Sequence, residues 1–337
     1  MTRGATGASS VYVAPEPGER HLANIRQLTF GGNNAEAYFS ADGRQLIFQR
    51  KESVDRNVGC DQEYVINIDG SGMHRVSDGK GRTTCGYFID RDRQILYSST
   101  FAFDSACPPM PDPALGYIWP LSHFELYTAN RDGSGLRALT KTGGYNAETT
   151  ASVDGKRLIF TSTRDGDIDL YTMNADGTGV RRITNRIGYD GGAFFSRDGR
   201  EIVWRAAYPV TAADSADYRH LLAQNLVRPA ALEIWTAHAD GSAPRQVTHL
   251  GGANWAPYFS PDGKRIIFTS NYEDPHGGNF DLYLVGTDGS GLEKITTSSE
   301  FDGFPIFSPD GKKLVWISSR HAREPGEINI FIADWKD

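Results

Sequence analysis

Short apolar runs alternate with polar turns along the chain, and one phrase recurs. It is a strand ending in Phe-Ser, a turn containing Asp-Gly, a basic residue, then a second apolar strand. It reads Tyr38-Phe39-Ser40-Ala41-Asp42-Gly43 before Leu46-Ile47-Phe48. It returns as Ser152-Val153-Asp154-Gly155 before Leu158-Ile159-Phe160, and as Phe195-Ser196-Arg197-Asp198-Gly199 before Ile202-Val203-Trp204. Phe259-Ser260-Pro261-Asp262-Gly263 and Phe307-Ser308-Pro309-Asp310-Gly311 are further copies, and Phe88-Ile89-Asp90-Arg91-Asp92 is a degraded one. A second turn follows five of them, at Asp69-Gly70, Asp132-Gly133, Asp176-Gly177, Asp240-Gly241 and Asp288-Gly289. Asp-Gly between strands suits turns that need positive φ. Each second turn leads into a short outer strand such as Arg182-Ile183-Thr184 or Lys294-Ile295-Thr296. The pattern predicts six units of four antiparallel strands.

The aligned turns stand at 42, 91, 154, 198, 262 and 310, giving steps of 49, 63, 44, 64 and 48 residues. The shortest step matches the roughly 40–50-residue period of a propeller blade. The longer steps carry insertions, all between the second and third strands. The sixth unit ends after its third strand, Ile328-Asn329-Ile330-Phe331-Ile332. Its missing fourth strand is expected at the other end of the chain, as Ile25-Arg26-Gln27-Leu28-Thr29, which repeats the outer-strand phrase. Pairing the two ends closes the ring and removes an open sheet edge. The expectation is an all-β, six-bladed propeller with residues 25–337 as one domain and 1–24 as an N-terminal extension.

Composition narrows the function. Lys and Arg total 35 against 42 Asp and Glu, a net charge of −7. A non-specific nucleic-acid binder needs a basic face, so that class is set aside. No apolar run approaches the roughly 18 residues of a membrane span. Residues 1–20 hold no apolar core of a signal peptide. A closed ring gives no reason to require an oligomer.

The run from Phe259 to Thr296, with Phe-Ser-Pro-Asp-Gly-Lys, Asp-Leu-Tyr, Asp-Gly-Ser-Gly-Leu and Lys-Ile-Thr in order, resembles the WD40-like repeat of TolB propellers. The resemblance covers residues 25–337. It implies a periplasmic or secreted protein that binds partners. Similar blades occur in prolyl-oligopeptidase-like and tricorn-type peptidases and in oligogalacturonate lyases, which hold a metal on this scaffold. Only 24 residues precede the first outer strand, where TolB carries an α/β domain, and no Gly-x-Ser-x-Gly elbow of a fused hydrolase is present.

Candidate chemistry lies where the first strand of each unit begins. One aligned position reads Asn34, Thr83, Asn146, Asp190, Asn254 and Asp302, and two residues later come Glu36, Cys85, Glu148, Gly192, Ala256 and Phe304. If these ring the mouth of the channel, the oxygens suit a hard cation such as Ca²⁺. The competing reading is that Asn and Asp cap turns. A second set, Glu63, Glu125, Asp169, Glu233, Asp281 and Asn329, opens each third strand and reads as scaffold, bonding to Ser162 or Ser270 at the end of the second.

The insertions, chiefly 100–122 and 208–231, share a rim with these positions, and binding residues concentrate in such loops. A short helix is expected over Asp217–Gln224. His123, His220, His276 and His321 lie on this rim, with Arg50, Lys51, Arg164, Arg205 and Arg320 near the ends of second strands. Histidines with carboxylates could bind Zn²⁺ or Mn²⁺, the candidate ligands being Glu36, Glu148, Asp190, Asp302, His220 and His276. The arginines could hold a ligand carboxylate or sulfate, or pair with the acidic ring. Among the cysteines, one disulfide, Cys60–Cys107 or Cys85–Cys107, competes with a Cys₃His zinc site that includes His123 and with plain buried thiols. Two functions remain: a module binding a protein segment, glycan or small ligand on this rim, or a metal-dependent hydrolase or lyase acting there on a sugar or ester.

Overall fold

The structure is a computed structural model that describes residues 10–55 and 57–337. Six antiparallel sheets form the blades, five drawn each from one stretch of the chain and the sixth from both of its ends. Their innermost strands are Asn33–Phe39, Thr83–Ile89, Asn146–Ala151, Tyr189–Phe195, Asn254–Phe259 and Asp302–Phe307, and residues from all six line one central channel. The fold is an all-β, six-bladed propeller. Blade 6 contains Leu22–Gln27 as its fourth strand, paired antiparallel with Asn329–Trp335. Two further residues, Val11–Tyr12, add a fifth strand outside it. The closing strand starts three residues earlier than its sequence phrase, because a bulge at Ala23–Arg26, with Asn24 at φ 52°, lets Leu22 also reach the core.

The recurring phrases have local causes. In the first turn the serine donates to the aspartate, as in Ser40 Oγ to Asp42 Oδ1 at 2.7 Å, and accepts from the next strand at Gln45 N, 3.0 Å. The same pair recurs at Ser152, Ser196, Ser260 and Ser308. Blade 2 lacks this serine. Its turn runs through three consecutive residues at positive φ, Asp90, Arg91 and Asp92, and the Asp92 carboxylate caps the backbone N–H groups of Ala41 and Asp42 in blade 1. The outer-strand threonines accept from a third-strand N–H: Thr140 from Leu126, Thr184 from Leu170, Thr248 from Ile234 and Thr296 from Leu282, all near 2.9 Å. Thr29 does this for Ile330, so the N-terminal phrase completes blade 6 with the same bond.

Each blade contains an aromatic pair. Phe48, Tyr97, Phe160, Trp204, Phe268 and Trp316 occupy one second-strand position and are at most 1 % exposed. Each faces an aromatic of its third strand, with ring centroids 5.8–6.4 Å apart. Such pairs are favourable by about 0.5–1.5 kcal/mol beyond their buried area.

Candidate functional site

The channel is shaped by a bulge repeated in every innermost strand. At its centre stand Glu36, Cys85, Glu148, Gly192, Ala256 and Phe304, all with φ between 50° and 62°. Five of the six are not glycine, and a left-handed non-glycine residue carries about 1–3 kcal/mol of strain. The bulge places all six along the wall of one cavity of about 20 Å³. Two residues further on come Tyr38, Tyr87, Phe194 and Tyr258, packed ring to ring at 5.1–5.8 Å. Tyr38 and Phe194 line the cavity and this aromatic layer forms its floor.

The polar side of the cavity is an ion pair. Arg205 donates to Glu148 and, at 2.8 Å, to the Tyr189 hydroxyl. Glu148 also accepts from Thr161 Oγ1 at 2.8 Å and from the Gly192 N–H at 3.0 Å. Burial disfavours the charge on Arg205, but the negative charge of Glu148 outweighs it and holds the guanidinium firmly protonated. Glu36 makes no ion pair among the described residues, and the Cys85 thiol hydrogen-bonds to it. Burial is the main cause that pushes its carboxyl up to about 7, and the negative charge of Glu148 adds to it. Burial and both carboxylates also push the Cys85 thiol up, which makes it a poor nucleophile.

The Asn/Asp positions expected beside Glu36 at the mouth turn the other way. Asn34, Asn146, Asp190, Asn254 and Asp302 are completely buried within and between blades. Asn34 donates to the Ile328 carbonyl of blade 6 at 2.7 Å, and Asn254 to the Leu232 carbonyl of blade 4 at 2.9 Å. Asp190 accepts from Trp204 Nε1 and the Tyr208 hydroxyl, both at 2.6 Å, and burial raises its carboxyl to about 7. Asp302 accepts from Trp316 Nε1 and Arg320. The asparagines stitch neighbouring blades together, as turn-capping amides do, and the two aspartates bond inside their own blade.

The four arginines do not form one ring. Only Arg205 lines the channel cavity. Arg50 stands one strand position later, buried, bonded to Asn34 and Glu52. Arg164 lies over Phe160 and Tyr171, 4.9 Å from each ring, and bonds Asn146. Arg320 is buried between Asp302 and Glu19, so the N-terminal segment is tied to blade 6 by a buried triad.

The metal reading requires ligands that the fold keeps apart. Asp190 and Asp302 are buried inside different blades, His220 is exposed and bonded to Gln224, and His276 is exposed. Among the described residues no three His, Cys, Asp or Glu side chains converge as a metal site. The channel pair also has the Arg205 guanidinium against it. The donor set does not fit Mn²⁺, Zn²⁺ or Ca²⁺.

The set at the start of the third strands needs a correction by one residue. Strand register aligns Gln62, not Glu63, with Glu125, Asp169, Glu233, Asp281 and Asn329. These residues bond the outer strand and the loop after it, as in Thr248 to Glu233 and Gly143 N to Glu125 at 2.7 Å. Ser162 and Ser270 instead donate to Asn146 and Asn254. A slip of one residue moves a side chain to the opposite face. Glu63 therefore occupies the position that Leu126, Leu170, Ile234, Leu282 and Ile330 fill elsewhere. It is completely buried with only the Gly86 backbone beside its carboxyl, and burial pushes that carboxyl far up.

The two long insertions meet over the mouth. Trp119–Pro120 from blade 2 pairs antiparallel with Leu226–Val227 from blade 4, spanning blade 3. Trp119 lies 5.4 Å from the Arg205 guanidinium and 6.0 Å from the Tyr189 ring, so this lid rests on the ion pair. The helix, α1, covers Ala212–Leu222 and begins five residues earlier than expected, because Thr211 and Asp214 form a capping box. Its Tyr218 hydroxyl anchors it to Asp167 and the Gly188 carbonyl. Cys60 and Cys107 are disulfide-bonded, joining the insertions of blades 1 and 2, and Cys85 is a free thiol. The pairing leaves no cysteine set for zinc with His123, which is exposed beside Phe103. Sequence reasoning missed Trp119, Tyr189 and Thr149 as channel residues. Tyr189 and Thr149 flank predicted positions, whereas Trp119 arrives through a pairing more than a hundred residues long in sequence.

Together the blades, the closing strand and the lidded channel define a six-bladed β-propeller with an insertion-built cap. Residues 215–335 match the family described as TolB beta propeller domain. Over that stretch the chain is similar to the TolB propeller family, and the whole chain has the fold of a six-bladed propeller. A structure solved as TolB from Agrobacterium tumefaciens is similar at 18% identity and TM-score 0.58, over 91% of each chain. TolB from Acinetobacter baumannii gives the same identity and score over 90% of this chain and 64% of its own. An oligogalacturonate lyase in complex with manganese is similar at 14% identity and TM-score 0.56, over 99% of both chains. At these identities the likeness is one of fold. No curated protein matches the chain.

Proposed function

We propose that residues 25–337 work as a binding module whose insertion-bearing rim holds a segment of a partner protein. The observation that carries this reading is where apolar surface is left exposed. Phe103, Met110, Leu115 and Tyr117 of the blade 2 insertion, with Val58 and Val210, are exposed on this rim, Tyr117 by 75 % and Val210 by 90 %. Met73, Leu136, Val180 and Leu292 follow the second turns at one repeat position, where they belong to the scaffold pattern. Clustered apolar side chains on ordered loops are a signature of protein interaction surfaces. The cavity of about 20 Å³ is far below the roughly 300–1,000 Å³ of small-molecule pockets, which supports a surface role.

An exported, periplasmic or secreted location accords with the Cys60–Cys107 disulfide, because such bonds persist in oxidising compartments. No helix among the described residues is long and apolar enough to cross a membrane. The test is photo-crosslinking from position 117 with identification of the captured chain, followed by affinity measurements. Tyr117→Ser with Phe103→Ser is expected to weaken that partner at least tenfold, and Leu136→Ser with Leu292→Ser to leave it unchanged. The reverse pattern, or turnover of an oligogalacturonide in the presence of Mn²⁺, would overturn the reading.

A further inference from the structure

Two donors in the wall of the channel cavity have no hydrogen-bond partner in the protein: Thr149 Oγ1 and Arg205 Nε. Thr149 is 1 % exposed and Arg205 is 8 % exposed. They come from different blades and line the same cavity as Glu36. The closest hydroxyl to the Glu36 carboxyl is that of Tyr38, at a long 3.4 Å. Leaving a buried donor unsatisfied costs about 1–3 kcal/mol, so two in one cavity mark a place where a guest is favoured.

Size and charge select the guest. One water needs about 10–15 Å³ of such space, and the cavity of about 20 Å³ admits a water but no sugar ring. An anion would meet Glu36 and Glu148. A cation would meet Arg205 and could not accept from its Nε–H. A group that accepts from Arg205 and Thr149 and donates to Glu36 is a neutral hydroxyl. We propose that the channel cavity is a binding site for one neutral hydroxyl group, supplied by an internal water held between Glu36, Thr149 and Arg205. Trp119 rests on Arg205 above it and the Tyr38–Phe194 layer lies below, so this water exchanges slowly with solvent. A small alcohol offers the same chemistry from another source.

Oxygen-17 relaxation dispersion on the full chain counts long-lived waters. Thr149→Val, nearly isosteric, is expected to lose one. Ala256→Leu, which fills the cavity from its wall, is expected to lose one as well and carries the test if the valine variant fails to fold. Methanol titration separates the sources. Loss of the same water with new magnetisation transfer from methanol to Ile306 assigns the site to hydroxyls generally, and persistence of the water assigns it to water alone. An unchanged number of long-lived waters in a folded variant overturns the proposal.

Discussion

Replacing Glu36 by Gln tests the electrostatics of the channel directly. The Glu36 carboxyl stands at about 7 in the fold against 4.5 for an ordinary glutamate, chiefly through burial. Between those values the folded chain binds more protons than the unfolded chain. Stability from this group is therefore complete below about pH 4.5 and is lost as pH rises through 7. A shift of about 2.5 units at about 1.36 kcal/mol per unit corresponds to about 3 kcal/mol at pH 8. Glutamine keeps the size and hydrogen-bonding capacity of the side chain but cannot ionise. Glu36→Gln should therefore match the wild type near pH 4.5 and exceed its stability by up to about 3 kcal/mol at pH 8. The assay is urea unfolding followed by tryptophan fluorescence at half-unit steps from pH 4.5 to 8.5. Asp190, also raised to about 7, contributes a slope of the same sign, so some pH dependence survives in the variant. Asp190→Asn in the Glu36→Gln background should remove that share. Parallel curves for wild type and Glu36→Gln would refute the reasoning and show that Glu36 meets solvent freely.

Glu63→Leu restores the aliphatic residue that five blades carry at this position, and it should stabilise the chain by about 1–3 kcal/mol as a buried, poorly satisfied carboxyl gives way to packing. Denaturation midpoints at pH 8 measure this, and a lower midpoint would mean that Glu63 has partners of its own. Arg320→Ala strands the Asp302 and Glu19 carboxylates in the interior and should cost about 3–5 kcal/mol, read as a lower melting temperature. An unchanged melting temperature would place that triad in solvent.

The repeat was readable because its chemistry is local. A serine two residues before an aspartate, or a threonine closing an outer strand, makes the same bond in each blade, so the phrases mark the strands. Ring closure was readable for the same reason, since Thr29 repeats that bond. The site was read less well because its arrangement depends on register and distance. Asn34 and Glu36 are two residues apart and would share a face in a regular strand. The bulge between them sends one into the blade interface and the other into the channel. Arg50, Arg164, Arg205 and Arg320 look alike in sequence, but Arg50, Arg164 and Arg320 stand two to four residues beyond the buried second-strand aromatic and bond the first-strand Asn or Asp of their blade, whereas Arg205 stands one residue beyond it and turns to the channel. The one-residue error at Glu63 came from matching an acid to the acids of the other blades; the second turn stands five residues after the third-strand aromatic in all five blades that carry it, and counting back from Asp69 selects Gln62. Trp119 could not be placed at all, because no local signal announces its pairing with Val227.

That pairing also bears on the order in which the molecule is assembled. The two partners are separated by more than a hundred residues, and everything between them is blade 3 with its flanking strands. Loop closure over that length is unfavourable until the intervening chain has already condensed. The cap is thus a late event by construction, reached only when three consecutive blades stand in their native orientation. A chain interrupted anywhere in that stretch could still form hairpins, but it would present an uncapped mouth. Formation of the two-residue ribbon is in this sense a built-in signal that half of the ring has been completed.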